Sequence, residues 1–241
     1  MNWFESWFDS KYYHILYKNR DKEEAEYFLD NLVSHLSLVK DSKIIDIGCG
    51  KGRHAYYLSS LGFDVTGIDL SYNSIETAKS NTQKKLKFAT HDMRTIYKEG
   101  YYDVSLNLFT SFGYFSSDQD DKNTIISMAK NLKNNGLLII DFMNAKKVME
   151  NLIPNEIKVI DGIKFIISRK IEKKRVVKSI QVLDKDSVYN FQEKVKLITY
   201  KDFKFLFKLT SLKITDTFGD YKLNSFNEKS SDRLIMICQK S

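Results

Sequence analysis

Proline occurs once in the 241 residues and cysteine twice, and no apolar run approaches the roughly 20 residues needed to cross a bilayer as a helix. With one Pro and 10 Gly, the chain is neither collagen-like nor a Pro/Gly-rich disordered segment. Cys49 and Cys238 stand at opposite ends with no CxxC or CxxxH spacing, so neither a disulfide framework nor a zinc site is expected, and reduced thiols are. Histidine occurs four times. His14, His35, His54 and His91 do not pair four residues apart or sit among carboxylates, which excludes a metal site from the reading. Repeats, low-complexity tracts and linkers are missing too. The aromatic segment Trp3-Phe4-Glu5-Ser6-Trp7-Phe8-Asp9 carries acids early and lacks the plan of a signal peptide, so a cytoplasmic location is expected. What is present, 42% apolar and 29% charged residues, describes a globular chain able to bury about 70% of its unfolded surface in one domain.

Charge of one sign is concentrated. Residues 1–145 carry 17 basic and 19 acidic side chains, whereas residues 146–241 carry 21 and 12, so the whole excess of the net +7 is C-terminal. Basic surface draws phosphates and anionic substrates. A Lys-rich chain also uses lysine simply to stay in solution, and that reading is the stronger one.

Hydrophobic spacing predicts a helix over 22–38, from Ala25, Phe28, Leu29, Leu32, Val33 and Leu36, with Asp21 and Glu24 placed for a capping box. A short strand at 44–47 runs into a glycine turn and a helix over 52–61 that stops at Gly62. Strands at 63–69, 85–90 and 102–108 follow, with helices at 72–80 and 119–134, then the apolar run Leu137-Leu138-Ile139-Ile140-Asp141, which reads as a central strand buried on both faces. Strand, helix, strand in succession implies parallel strands with crossovers. Beyond 155 the texture changes to long alternating segments, 162–172, 175–183 and 187–199, which predict a small antiparallel meander with a turn at Asp184-Lys185-Asp186. A helix at 200–209 and strands at 211–218 and 232–239 then return to the main sheet. The organisation expected is one domain: 1–40 an N-terminal lid and helix, 41–155 the ligand-binding core, 156–199 the insertion, and 200–241 the return.

The sharpest chemical signal is Asp46-Ile47-Gly48-Cys49-Gly50-Lys51-Gly52, placed where a strand becomes a helix. Glycines there let the backbone approach a ligand and leave helix N-terminal amides free for a polar group. The dinucleotide fingerprint requires GxGxxG; here the third glycine comes one residue early and Arg53 holds its place, which argues against a nicotinamide oxidoreductase. Asp69 ends the next strand, where a carboxylate accepts from ribose hydroxyls. Asp92 follows the third strand, positioned to accept from an exocyclic amine, with Met93 to flank the ring. Each acid alone is an ordinary turn residue; together they point to a nucleoside.

These residues resemble the class I S-adenosylmethionine-dependent methyltransferases. Asp46, Gly48, Gly50 and Gly52 match the family's first motif, Asp69 the acid after the second strand, Asp92 the acid after the third, and Asn107-Leu108-Phe109 the segment after the fourth. The likeness covers roughly 40–145, and Gly50-Lys51-Gly52-Arg53-His54 with Val65-Thr66-Gly67-Ile68-Asp69-Leu70-Ser71 looks like the branch acting on small molecules. It implies a doubly wound α/β fold whose seven-stranded, mostly parallel sheet has its last strand antiparallel, with the meander as a substrate-covering insertion. It implies S-adenosylmethionine as cofactor, released as S-adenosylhomocysteine, and a methyl transferred to N or O of a small acceptor, an anionic one among the candidates. The cofactor set is Asp46, Gly48, Cys49, Gly50, Gly52, Arg53, Asp69, Leu70, Asp92, Met93, Asn107 and Phe109.

Acceptor candidates come from three clusters. Tyr13, Tyr17 and Arg20 belong to an N-terminal aromatic segment of the kind that closes over the cofactor in related enzymes; packing on the core is the competing reading. Phe112 and Tyr114 follow the fourth strand, at the carboxyl edge where this fold places its chemistry. Asn144 after the fifth strand either contacts substrate or caps the next helix. No catalytic base is assigned, because a sulfonium methyl needs mainly in-line placement of the nucleophile. An RNA or protein methyltransferase and a noncatalytic cofactor-binding module are the alternatives. Nucleic acid is disfavoured, since Asn107-Leu108-Phe109-Thr110 stands where base amino-methyltransferases carry Asn-Pro-Pro-Tyr or Asp-Pro-Pro-Tyr. The many lysines on the meander leave a monomer or a homodimer open.

Overall fold

The computed structural model describes residues 3–18, 22–80 and 84–241. Two short helices, α1 (Trp3–Phe8) and α2 (Lys11–Leu16), precede the long α3 (Lys22–Leu36). Helices and strands then alternate: β1 (Lys43–Ile47), α4 (Arg53–Ser60), β2 (Asp64–Asp69), α5 (Tyr72–Lys79), β3 (Leu86–Thr90), β4 (Tyr102–Asn107), α6 (Asp118–Asn131), β5 (Leu132–Met143) and α7 (Ala145–Glu150). Four strands follow without a helix, β6 (Asn155–Ile160), β7 (Ile163–Glu172), β8 (Arg175–Asp184) and β9 (Ser187–Lys196), and then α8 (Tyr200–Phe207), β10 (Leu212–Phe218) and β11 (Arg233–Lys240) close the chain.

The main sheet has the order β10-β11-β5-β4-β1-β2-β3, and only β11 runs antiparallel to its neighbours. The order reverses between β1 and β4, so a crevice opens beyond their carboxyl ends. β1, β4 and the second half of β5 are buried almost throughout because both of their faces are covered. One covering layer packs Phe28, Leu32, Leu58 and Ile75 from α3, α4 and α5; the other packs Ile125, Met128, Phe203 and Phe207 from α6 and α8.

The second sheet, β6-β7-β8-β9, is the expected meander with one strand more than the alternation indicated. β6 lies at the start of the expected 156–199 insertion, and its alternating apolar residues Ile157 and Val159 are exposed. The α6 boundary also moves: the helix ends at Asn131 rather than near 134, and Leu132 already pairs with Tyr102 across a bulge while Asn135 turns with φ 61°. α1 and α2 pack on the meander, where Trp7, Tyr12 and Leu16 share a buried cluster with Phe165, Ile167, Ile180 and Val182. No helix among the described residues is long and apolar enough to cross a membrane.

Candidate functional site

β1 ends at Ile47 and the chain turns through Gly48 (φ 77°), Gly50 (φ 54°) and Gly52 (φ 83°) into α4. A side chain at Gly48 would strike Ser111, and one at Gly52 would come within 2.5 Å of the Phe88 ring. At Gly50 a Cβ would meet nothing within 4 Å, because this part of the loop faces open space. That space is a cavity of about 450 Å³, walled by the loop, the ends of β2 and β3, the segment after β4, and the N-terminal helices. It falls within the roughly 300–1,000 Å³ typical of small-molecule sites.

Asp69, ending β2, is tied to the loop: the Gly50 N–H donates to Oδ2 at 2.8 Å and the Ser71 N–H to Oδ1 at 2.8 Å. Burial pushes its carboxyl above the usual range, against the pull of those two amides. Each oxygen keeps a further lone pair for a hydroxyl. Asp92 holds Arg94, whose Nε donates to both carboxylate oxygens at 3.0 Å, and although burial works upward, Arg94 brings this acid below its usual pKa. Beneath the loop, Asp46 is fully buried and its Oδ2 has no hydrogen-bond partner among the described residues, with His54 Nδ1 3.9 Å away. Burial first, and the Asp69 charge second, push Asp46 up to about 7. Burial, then the Arg53 charge, hold His54 down to about 3, and His14 falls to about 4 through burial and Lys51, so both imidazoles are neutral at pH 7.

A second cavity of about 730 Å³ adjoins the first, between the carboxyl edge of the main sheet and the inner face of the meander. Four aromatic residues, Phe8, Tyr13, Phe109 and Tyr114, line both. Phe109 has φ 54° and its N–H donates to Asp141 Oδ2 at 2.8 Å; its ring stacks on His54, 4.9 Å away, and the Arg53 guanidinium, itself 3.1 Å from His54 Nε2, lies 4.8 Å from the ring centre. Across the larger cavity, Arg233 Nε donates to Asp141 Oδ1 at 2.8 Å and Nη2 to Thr110 Oγ1 at 3.0 Å.

Twelve of the sequence-predicted residues meet on the smaller cavity: Gly48, Cys49, Gly50, Arg53, Asp69, Leu70, Asp92, Met93 and Phe109, with Tyr13, Tyr17 and Tyr114 from the acceptor set. Asp46, Gly52 and Asn107 lie behind its wall. Asn107 is buried and donates from Nδ2 to the Ile47 carbonyl at 2.9 Å, bracing β4 against β1. Two acceptor candidates are corrected. Phe112 is fully buried, its ring 5.6 Å from that of Phe203, in a turn where Phe109, Thr110 and Gly113 all have positive φ. Asn144 caps α7, accepting from the Lys146 N–H at 3.2 Å and donating to the carbonyls of Glu228 and Ser231, which consumes its side chain. Arg20, and the capping residue Asp21, lie outside the described residues. Sequence reasoning assigned no site role to His14, His54, Lys178, Glu193 or Arg233. Only Arg233 carried a usable signal, since the first residue of an antiparallel last strand must lie at the carboxyl edge of its parallel neighbours.

Known proteins share parts of this sequence and the fold. A family model described as a methyltransferase domain matches residues 38–196. The ubiquinone biosynthesis O-methyltransferase of Rickettsia typhi (strain ATCC VR-144 / Wilmington) is 30% identical over 125 residues, 51% of this chain and 49% of that protein. The glycine/sarcosine N-methyltransferase of Aphanothece halophytica is 27% identical over 136 residues, 54% of this chain and 50% of that protein. The aligned part thus spans about half the length of the curated relatives. Among solved structures, an S-adenosylmethionine-dependent methyltransferase from Clostridium acetobutylicum ATCC 824 superposes with TM-score 0.80 at 18% identity, covering 95% of both chains. The sugar N-methyltransferase KedS8 from Streptoalloteichus sp ATCC 53650 gives 0.71 at 17%, over 93% of this chain and 92% of that one. With the family model spanning well over half of its residues, the chain belongs to the methyltransferase-domain family, and its fold is that of the S-adenosylmethionine-dependent methyltransferase structure from Clostridium acetobutylicum.

Proposed function

We propose that the chain transfers a methyl group from S-adenosylmethionine to N or O of a small molecule. The observation that carries this reading is the pair of adjoining cavities with a shared aromatic wall, one beside the glycine turn and one beneath the meander. The residues fit the cofactor: the open face of Gly50 is a backbone cradle, and Asp69 and Asp92 stand at successive strand ends to hold ribose hydroxyls and an adenine amine. Arg53 and the first turn of α4 suit a carboxylate. When bound, the cofactor supplies an electrophilic methyl on a sulfonium.

The chain's own part is placement. Tyr13, Tyr114, Phe8 and Phe109 line both cavities; aromatic rings there exclude water, and a ring face that meets a cation favours it by about 0.5–2 kcal/mol. Holding the nucleophile in line there turns a bimolecular reaction into one of high effective molarity, about 10⁵–10⁸ M in well-oriented cases. The test is incubation with S-adenosylmethionine labelled in the methyl group and a fractionated metabolite extract. Label in a small product, with S-adenosylhomocysteine formed in equal amount, supports transfer to a small molecule. Label only in RNA or protein transfers the reading to those acceptors, and tight binding without transfer to anything reduces the chain to a binding module.

A further inference from the structure

We propose, resting on the methyltransferase reading, that Glu193 and Lys178 on the meander seat the acceptor's nucleophile, and that this nucleophile is a hydroxyl whose proton Glu193 takes. The two residues are register partners on β8 and β9, and both line the larger cavity. Lys178 Nζ lies 3.3 Å from Glu193 Oε2, with side chains 11% and 15% exposed. Glu193 Oε1 accepts from Trp7 Nε1 at 2.7 Å and from the Tyr17 hydroxyl at 2.7 Å, so two donors fill that oxygen. Oε2 carries the contact to Lys178, and a carboxylate oxygen with two acceptor positions has room for another donor.

Tyr17 shows what such a pair accommodates. Its hydroxyl accepts from Lys178 and donates to Glu193 at once, while its ring reaches the wall of the smaller cavity. A hydroxyl satisfies both partners. An ammonium would meet Lys178 with like charge, and a carboxylate would meet Glu193 in the same way. Nor does the remaining wall call for an anion: Lys147 faces Asp232 at 2.6 Å, Arg169 faces Glu156 at 2.5 Å and Arg233 faces Asp141 at 2.7 Å. The chemistry agrees. A neutral amine attacks with its lone pair and sheds its proton afterwards, whereas a hydroxyl must lose its proton as the new bond forms, which calls for a base in reach. In the step, the acceptor O–H bond breaks and its proton goes to Glu193 Oε2. The oxygen lone pair forms the O–CH₃ bond as the S–CH₃ bond breaks, and that electron pair stays on sulfur.

The test begins with calorimetric binding of S-adenosylhomocysteine to wild type, Glu193→Gln, Lys178→Met and the double variant; the last removes both charges and keeps an acceptor for Trp7 and Tyr17 should a single variant fail to fold. Loss of binding in the wild type would refute the methyltransferase reading itself, separately from this proposal. Matched probes follow: catechol against 1,2-diaminobenzene, and glucose against glucosamine. Methyl transfer to a hydroxyl, reduced about 10²–10⁴-fold by Glu193→Gln with unchanged S-adenosylhomocysteine affinity, is expected. A second readout needs no turnover, because 4-nitrocatechol changes colour when it ionises. Bound to the protein, its apparent pKa should rise in Lys178→Met and fall in Glu193→Gln, opposite shifts that a merely structural pair would not produce. Transfer only to amines, no transfer to any probe hydroxyl with the cofactor bound, or a 4-nitrocatechol titration that neither variant moves would overturn the proposal.

Discussion

Asp46 is a buried acid whose proton the fold retains, and replacing it with asparagine should alter stability in a way that changes sign with pH. Its carboxyl is pushed from the usual 3.8 up to about 7 by burial and by Asp69. Between those two values the unfolded chain has released the proton and the folded chain still holds it, so stability falls as pH rises through this window and levels off above it. At about 1.4 kcal/mol per pH unit, the ionised residue costs the fold roughly 4 kcal/mol above pH 8. Asparagine removes that cost but places an amide N–H where Oδ2 has no partner, at about 1–3 kcal/mol. Asp46→Asn should therefore be more stable than wild type by about 1–3 kcal/mol at pH 8.5, and less stable by a similar amount at pH 4, where Asp46 is protonated in the folded state and only partly ionised in the unfolded chain. His54, held down to about 3, stays neutral throughout and does not blur the comparison. Urea midpoints measured from pH 4 to 9 at constant slope give the difference directly. A difference between variant and wild type that does not vary with pH would refute the assignment of a retained proton to Asp46.

The glycine turn separates structure from binding. Gly52→Ala should cost about 2–5 kcal/mol, from the left-handed backbone and the clash with Phe88, and denaturant unfolding will register it. Gly50→Ala, equally left-handed but facing open space, should cost about 1–2 kcal/mol yet weaken S-adenosylhomocysteine binding at least tenfold by calorimetry, since the methyl intrudes on the cradle. Phe112→Ala should lose about 3–5 kcal/mol in unfolding while leaving cofactor affinity within twofold, the reverse of what a cavity residue would do. Lys196→Met strands the buried Asp121 between the meander and α6, and should cost about 3–5 kcal/mol, read as faster hydrogen exchange in β9.

The fold was legible where local signals agree. Strand, glycine turn and helix over 44–61, the apolar run 137–141 and the change of texture after 155 each rest on residues close in sequence, and the sheet order follows from the resemblance those residues carry. The cofactor side of the site was legible for the same reason: strand ends bring Gly48, Asp69 and Asp92 to one edge whatever the side-chain detail. The acceptor side was not. Phe112 and Tyr114 look equivalent in sequence, and the backbone turn, with positive φ at Phe109, Thr110 and Gly113, sets one ring on the cavity and the other in the core. Lys178 and Glu193 meet because β8 and β9 pair in one register, and a shift by a single residue would have turned one of them to the outer face. β6 falls at the start of the expected 156–199 insertion but was not singled out as a strand, although Ile157 and Val159 alternate there.

The most direct measurement is isothermal titration of S-adenosylhomocysteine into wild type and into Asp69→Ala, with folding of both checked by circular dichroism. Micromolar binding by the wild type, lost at least tenfold when the carboxylate that joins Gly50 to the cavity is removed, is the expected result. A folded wild type that takes up no S-adenosylhomocysteine and carries none from purification, or an Asp69→Ala protein that binds it equally well, would contradict the assignment of this cavity to the cofactor.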